Sequence, residues 1–380
     1  MHPRIIDKFH ALERFVAVST PGSLSRLITP LIDPSVFDFW ASHLNAAWSW
    51  DRPLARVVAR QLQAKDTVTL VLKPNRHVGT FQPGQHINVS AEVNGRRVTR
   101  SYSPSQVAKG KGTLSITVKK VDGGVLSQHL CHETRVGDVL ELGAAFGDMT
   151  LPSQPRGPWL LLAAGSGITP MISLVRALAD MNMPVDLSLI YWAKTRAELC
   201  FTQELRELAA KHPRFKLRLV LTREPERLID EHEGRLNAHQ LQSWVGNLSA
   251  HQVYACGPAA FVSTARELAA PSALRFHAEA FSPPVSPTLY TPASVDTVQV
   301  ELRASGRTLT LPTGQSLLTA LEAQGLKPAS GCRMGICNTC ACHKLAGTTQ
   351  NLHTGDLDNQ PASSLRLCMS SACSDLTLDL

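Results

Sequence analysis

The stretch from Trp159 to Val175 reads WLLLAAGSGITPMISLV, an apolar run that meets glycines and then a helical pattern. Such a run predicts a strand buried on both faces, as in a parallel sheet. Gly165 and Gly167 predict a tight turn, and Thr169 followed by Pro170 predicts an N-cap and a first helical turn. A helix that starts directly after a glycine turn favours the binding of a phosphate group at its N-terminus. Pro170 replaces the third glycine of the usual dinucleotide fingerprint, so the motif alone is weak.

The alternation of strand and helix continues beyond this stretch. It predicts an α/β domain with a parallel sheet over residues 157–281. The expected strands are 159–164, 185–192, 215–221 and 252–256, and the expected helices are 170–182, 201–212, 237–245 and 259–269.

In the residues before this domain, apolar and polar side chains alternate with a period of two. Short alternating strands and the Asn94-Gly95 hairpin signal predict an antiparallel β-barrel over 52–156. Residues 1–51 are expected to be a helical extension, in which Asp33-Pro34 opens a helix. That helix should place Phe37, Trp40, Leu44 and Trp48 on one side, either to pack on the barrel or to form a docking surface for a partner or a membrane face.

The residues after the α/β domain begin with a proline-rich linker, 282–296. A hairpin, a helix and a last strand then predict a small α+β domain over 297–380 whose central loop holds a cysteine cluster. The chain carries a net charge of +7, but residues 297–380 contain six basic and six acidic residues, so the excess lies before them.

The length, charge and composition of the chain limit the classes of function it can have. A length of 380 residues predicts two or three domains. The basic residues form no run and no stripe with aromatics, which argues against nucleic acid and favours a small phosphate-bearing ligand. The N-terminal residues carry charges throughout and lack an apolar signal core, so a cytoplasmic protein is expected.

The cysteine cluster is the strongest chemical signal. Cys332, Cys337 and Cys340 have the spacing C-x4-C-x2-C, and Cys368 follows further along. This is the plant-type [2Fe–2S] spacing, in which one loop supplies three thiolates and a distant segment the fourth. A zinc site is a poorer match, because zinc ligands usually come as two short pairs. Cys373 competes with Cys368 as fourth ligand, and Cys342 is expected to point away on a strand.

Three further motifs are ambiguous by themselves. They are Arg100-Ser101-Tyr102-Ser103, the turn from Gly124 to Ser127, and Cys256-Gly257-Pro258. An arginine can hold a phosphate and an aromatic ring can lie against a flat cofactor, but such residues are also common on ordinary strands.

In this order the motifs resemble the ferredoxin–NADP reductase superfamily, in the form with a C-terminal plant-type ferredoxin (β-grasp) domain. The resemblance covers residues 53–380 and implies an NAD(P)H-dependent oxidoreductase with FAD and a [2Fe–2S] cluster, FAD being favoured over FMN. It implies flavin contacts at Arg100, Ser101, Tyr102, Ser103, Gly124 and Ser127, and nicotinamide nucleotide contacts at Gly165, Gly167, Thr169, Pro170, Gly257 and Pro258. It implies catalytic roles for Ser103, Cys256 and Glu279.

The resemblance also bears on coenzyme and partner. Lys194, Arg196 and Arg223 follow the second and third strands of the α/β domain, where NADPH-dependent members place cations, so NADPH is favoured over NADH. The helical extension is similar to that of reductases that serve membrane acyl desaturases, which implies a desaturase as electron acceptor and peripheral membrane contact through it. The alternatives are a soluble monooxygenase, dioxygenase or hybrid-cluster protein as acceptor, or a metal-binding sensor or structural module.

Overall fold

The computed structural model describes residues 33–44, 47–106, 112–281, 296–352 and 355–380. Three main sheets follow one another along the chain, and the multidomain fold class expected from the sequence is confirmed.

The first sheet is antiparallel and barrel-like, with the order β4-β3-β7-β1-β2-β6-β5. The Asn94-Gly95 turn joins β3 to β4 with both residues at positive φ, as a tight hairpin requires. Its elements are β1 Leu54–Ala64, β2 Thr67–Pro74, β3 His86–Val93, β4 Arg96–Tyr102, β5 Pro104–Gln106, β6 Leu114–Lys119, the short helix α2 Val125–Gln128 with a π-helical turn His129–Glu133, and β7 Val139–Phe146.

The second sheet is wholly parallel, with the order β11-β10-β9-β8-β12-β13. The chain leaves β8 on one side and returns on the other as β12, so the carboxyl ends of these neighbours form the crevice where such sheets bind ligands. The elements are β8 Trp159–Ala164, α3 Ile168–Asp180, β9 Leu187–Ala193, α4 Thr202–Lys211, β10 Phe215–Leu221, β11 Glu231–Glu233, α5 Ala238–Trp244, β12 Gln252–Gly257, α6 Ala259–Ala269 and β13 Arg275–Ala280.

The C-terminal part is a small α+β unit in which one helix covers a five-stranded sheet of order β15-β14-β21-β16-β19. The cysteine loop lies between the helix and β16. The elements are β14 Thr297–Leu302, β15 Arg307–Pro312, α7 Leu317–Ala323, β16 Ala341–Ala346, β17 Thr349–Asn351, β18 Leu357–Asp358, β19 Ala362–Arg366, β20 Ser370–Ala372 and β21 Leu376–Asp379.

The N-terminal extension is described from residue 33, and the helix expected before it lies outside the described residues. Helix α1, Pro34–Leu44, begins at the expected proline. Trp40 is 66% exposed, so this side chain does not pack on the barrel, and the alternative of a docking surface stays a prediction. No helix in the described ranges has the length and apolar character needed to cross a membrane.

Two glycine-dependent approaches hold the second sheet's crevice together. A Cβ added to Gly167 would lie 2.0 Å from the carbonyl oxygen of Cys256, and one added to Gly257 would lie 2.9 Å from Cβ of Ala164. The turn after β8 therefore touches the end of β12 through backbone alone, which no residue larger than glycine permits.

Gly167→Ala is expected to lower the free energy of unfolding by about 2 kcal/mol or more, because a backbone carbonyl cannot move aside as a side chain can. Gly79→Ala is the matched control: a Cβ there meets no atom within 4 Å, and its effect should stay within about 0.5 kcal/mol. Thermal and denaturant unfolding of both variants measure the difference, and equal stabilities would contradict the packing argument.

Candidate active site and cluster loop

A chain of buried hydrogen bonds connects the first sheet to the second at the crevice. Ser103 follows β4, and its Oγ lies 2.6 Å from Nδ1 of His86, the first residue of β3. The Nε2 of His86 is hydrogen-bonded to the carboxylate of Glu279 on β13. All three side chains are buried, with relative exposures of 2%, 1% and 6%. Two of the three predicted catalytic residues, Ser103 and Glu279, are thus joined through a histidine that the sequence analysis did not identify.

Glu279 is an anion at neutral pH despite its burial. Burial by itself raises the pKa of this carboxyl, but the interactions with His277 and His86 outweigh it and lower the pKa to about 2. His277 is the more exposed neighbour, with Nε2 3.9 Å from Oε1 of Glu279. That separation suits an ion pair but exceeds a hydrogen bond.

Cys256 lies beside this carboxylate, because β12 and β13 pair Cys256 with Glu279. The thiol is fully buried, and burial together with the charge of Glu279 raises its pKa well above the usual value. It is therefore a protonated, apolar-packed thiol and not a thiolate nucleophile.

The predicted flavin strand β4 borders the same crevice. Tyr102 packs against the barrel core, and burial raises its pKa. Burial also lowers the pKa of Arg100, and Arg333 of the cysteine loop lowers it further. Ser101 donates to Oδ1 of Asn88 on β3 at 2.5 Å. Arg100, Tyr102 and Ser103 therefore lie close together, as binding of a single cofactor along this strand requires.

The predicted phosphate turn is compact. The Oγ of Ser127 accepts from the amide of Val121 at 3.2 Å and donates to the carbonyl of Gly124 at 3.3 Å. A Cβ on Gly124 would lie 2.5 Å from that Oγ. The serine closes the turn that starts α2, and a contact with phosphate stays a prediction.

The glycine loop of the α/β domain differs in detail from its prediction. Helix α3 begins at Ile168, directly after a 3-10 turn over Gly165–Gly167, and Gly167 is its N-cap. The prediction that Thr169 is the N-cap is wrong. The 3-10 turn leads directly into the helix, so Thr169 lies within the first turn of the helix. The Thr169 hydroxyl donates to the carbonyl of Ser166 at 3.0 Å. Gly165, Ser166 and Thr169 line a small cleft against the barrel strands.

The three cations predicted at the coenzyme phosphate differ in exposure and in ion pairing. Lys194 and Arg223 are exposed and adjacent, since the Arg223 amide donates to the Lys194 carbonyl at 2.8 Å. Arg196 instead binds the buried carboxylate of Glu231, with Nε at 2.8 Å and Nη2 at 2.7 Å. Arg196 is therefore already paired, and Lys194 and Arg223 are the cations accessible to a ligand.

The four predicted cluster ligands form two pairs of thiols. Cys332 contacts Cys337, and Cys340 contacts Cys368 across the loop. The amides of Met334 and Cys337 both donate to Sγ of Cys332 at 3.3 Å. No set of three or more His, Cys, Asp or Glu ligands surrounds one point in the part of the chain that the structure describes. Two thiol pairs provide two ligands to each of two irons, which fits a [2Fe–2S] cluster.

The thiol chemistry also suits metal ligation. The hydrogen bond from Cys332 lowers the pKa of Cys337, and that from Cys368 lowers the pKa of Cys340. Within each pair one sulfur is thus shifted towards the thiolate, and thiolate is the form that binds iron.

The two remaining C-terminal cysteines lie outside this group. Cys342 is on β16 in the hydrophobic core, and burial raises its pKa to about 12. Cys373 is exposed beyond β20. Cys368, which contacts Cys340, is therefore the better-placed fourth ligand.

The cysteine loop contacts the flavin strand region through one amide. Nδ2 of Asn88 donates to the Thr339 hydroxyl at 3.3 Å, and the same side chain accepts from Ser101. A Cβ on Gly331 would lie 2.9 Å from both Cys337 Sγ and Thr339 Oγ1, and 3.1 Å from Asn88 Nδ2. Gly331 therefore allows the cluster sulfur and the flavin domain to approach closely.

Sequence reasoning missed His86 and Asn88. Both lie on β3 in a strand whose alternation predicted only a barrel face, and their partners are 193 and 251 residues away in sequence. A polar residue at the start of a strand, after Pro83-Gly84, was the only available signal.

Three family models together cover most of the chain. Residues 55–150 match the oxidoreductase FAD-binding domain, residues 161–267 the oxidoreductase NAD-binding domain, and residues 300–373 the 2Fe-2S iron-sulfur cluster binding domain. FAD, NAD(P)H and a [2Fe–2S] cluster are accordingly the cofactors.

Individual relatives match most of the chain. The chain is 32% identical to an NADPH oxidoreductase of Mycobacterium tuberculosis, over 98% of this chain and 93% of the relative. It is 33% identical to the ferredoxin reductase component of a 3-ketosteroid-9-alpha-monooxygenase of the same species, over 74% and 78%. The solved phthalate dioxygenase reductase is 23% identical and superposes with a TM-score of 0.59 over 86% of this chain and 97% of that one, which shows a shared fold.

Cys368→Ala should leave purified protein with FAD but with little iron or acid-labile sulfide, because one iron loses a thiolate that no neighbour replaces. Cys373→Ala is the control and should retain both, since that thiol is exposed and outside the pairs. Iron, sulfide and flavin analysis of the two variants distinguishes the ligand sets, and the reverse result would make Cys373 the ligand.

Proposed function

Because the chain belongs to the ferredoxin–NADP reductase superfamily, as an oxidoreductase with a C-terminal [2Fe–2S] domain, we propose that it is the reductase component of an oxygenase system. When bound, FAD accepts a hydride from NAD(P)H and releases electrons singly, and the cluster carries them one at a time. The chain's own residues provide orientation, exclusion of water and electrostatics.

The observation that carries this proposal is the contact of Thr339 in the cluster loop with Asn88 on β3, whose side chain also accepts a hydrogen bond from Ser101 on the flavin strand β4. A cluster held beside the flavin-binding strand supports electron transfer between them within one chain. Cys337 is the least buried of the four cluster cysteines, and Asn338 beside it is exposed. An acceptor protein can therefore approach this edge of the loop.

The proposed roles of the flavin and nicotinamide residues are those that the resemblance to the superfamily implies. Arg100, Tyr102 and Ser103 would hold the flavin, with the turn from Gly124 to Ser127 at its phosphates. Gly165, Gly167 and Thr169, together with Gly257 and Pro258, would form the nucleotide crevice. The buried Cys256 and Glu279 would border the reacting rings, where a water-excluded site is needed. In the cluster, Cys332, Cys337, Cys340 and Cys368 would be the ligands.

An oxygenase acceptor is favoured over the desaturase expected from the sequence. The monooxygenase reductase component among the relatives supports it. The desaturase expectation relied on the helical extension, most of which lies outside the described residues. The cytoplasmic location likewise stays a prediction.

The acceptor is testable by reconstitution. The protein with NADPH should support substrate-dependent oxygen uptake when mixed with the soluble fraction of its source cells. The Cys368→Ala variant, which retains the flavin, should not support it. Uptake restored only by the membrane fraction with acyl substrates would favour the desaturase instead.

We also propose NADPH as the coenzyme, on the adjacent exposed cations Lys194 and Arg223 and on the name of the NADPH oxidoreductase relative. Lys194→Ala and Arg223→Ala should each raise the KM for NADPH about tenfold, equivalent to about 1.4 kcal/mol. The KM for NADH should stay nearly unchanged, because NADH lacks the 2′-phosphate.

Arg196→Ala provides the control for that experiment. Its guanidinium is bound to Glu231, so its loss should reduce stability by removing the main partner of a buried carboxylate, with no selective effect on NADPH. Steady-state kinetics with both coenzymes decide the question, and a selective loss of NADPH use in Arg196→Ala alone would reassign the site.

A further inference from the structure

The side chain of Arg333, in the cysteine loop, has a hydrogen-bond donor that the protein does not use. Its two terminal nitrogens donate to the two carboxylate oxygens of Glu322 on α7, at 2.8 and 2.5 Å. Its third nitrogen, Nε, is buried and has no hydrogen-bond partner among the residues that the structure describes. Buried donors are paired in nearly all folded proteins, so an acceptor from outside the chain is expected at this nitrogen.

The cysteine loop places Arg333 beside the flavin strand. A Cβ on Gly331, two residues earlier, would lie 3.1 Å from Nδ2 of Asn88, and Asn88 pairs with Ser101 in the ladder of β3 and β4. Arg100 directly precedes Ser101 on β4. Burial lowers the pKa of Arg100 most, and Arg333 lowers it further, so the two guanidinium groups interact across the boundary between the units.

The charges at this boundary are unbalanced. Two guanidinium groups, those of Arg100 and Arg333, share the one carboxylate of Glu322. Nη1 of Arg100 donates to the carbonyl of Thr99 at 2.7 Å, and its other nitrogens have no partner within the described ranges. The boundary therefore has an excess of positive charge and unused N–H donors from both units. A phosphate group has the negative charge and the acceptor oxygens that such a site lacks.

We propose that Arg333 is an FAD-binding residue, which the ferredoxin unit contributes to the flavin site. Its Nε would donate to a phosphate oxygen of FAD, so that the barrel and the cysteine loop hold the cofactor together. This inference rests on the proposed binding of the flavin along β4. By linkage, FAD should stabilise the docked position of the cluster loop to the same extent as the loop strengthens FAD binding.

The test is the dissociation constant of FAD for full-length protein from which the flavin has been removed, measured by quenching of flavin fluorescence. Arg333→Ala should raise it about tenfold, equivalent to about 1.4 kcal/mol, because a charge-assisted hydrogen bond is lost. Arg307→Ala is the matched control and should leave it unchanged, since that side chain is exposed on β15 of the same unit. An unchanged dissociation constant in Arg333→Ala would overturn the proposal.

Glu322→Gln separates phosphate binding from a purely structural ion pair. The amide retains an oxygen for Arg333 but removes the negative charge that competes with phosphate. If Arg333 binds the phosphate, FAD should bind this variant at least as tightly as the unaltered protein. If Arg333 serves only as the partner of Glu322, both substitutions should weaken FAD binding alike, and that result would overturn the proposal.

Thermal unfolding followed by the absorbance of the cluster gives a readout independent of turnover. Added FAD should raise the unfolding temperature of the cluster in the unaltered protein and much less in Arg333→Ala. Where Arg333→Ala does not assemble a cluster, Arg333→Lys takes its place, because it retains the cation and removes Nε. It should still weaken FAD binding, and an unaltered affinity in this variant would also overturn the proposal.

NADPH is the other source of a phosphate, and its KM distinguishes the two. Arg333→Ala saturated with FAD should have an unchanged KM for NADPH, whereas a raised KM with unaltered FAD affinity would overturn the assignment to FAD. Arg100→Ala tests the flavin position separately. If it weakens FAD binding and Arg333→Ala does not, the inference fails and the proposed function stands. Failure to find an oxygenase acceptor would remove the proposed function without changing the FAD affinity of any variant.

Discussion

The buried carboxylate of Glu279 is the constraint around which the crevice between the first two sheets is arranged. A carboxylate removed from water is stable only when charged or hydrogen-bonding partners replace the lost hydration. β13 can supply His277 from its own strand, but the second partner, His86, comes from β3 of the other domain. The partners of this one charge therefore come from both the flavin barrel and the nucleotide sheet.

Glycines provide the complementary constraint, because they allow backbone and sulfur to approach where side chains would prevent it. Gly167 lets the nucleotide loop touch the end of β12, and Gly331 lets the cluster loop approach Asn88. Electron transfer and hydride transfer both depend steeply on distance and orientation. The absence of a Cβ at these two positions is thus a conformational requirement of both approaches.

The two thiol pairs and the Asn88 contact explain how the ferredoxin unit operates without strong electrostatic steering. Residues 297–380 carry balanced charge, so long-range attraction to the basic remainder is weak. The covalent connection keeps the local concentration of the cluster domain high, and short polar contacts then select its orientation. The exposed edge near Cys337 remains accessible to a separate acceptor.

The sequence by itself determined the three-part fold, the parallel order of the α/β domain, the Asn94-Gly95 hairpin and the cysteine spacing. These features depend on local periodicity, turn chemistry and short-range spacing, which are written along the chain. The tertiary structure alone decided that Arg196 is bound to Glu231, that α3 starts before Thr169 and that Cys368 contacts Cys340. It alone brought His86 to Glu279 and Asn88 to Thr339, because partners some 190 to 250 positions apart meet only when separate domains pack together.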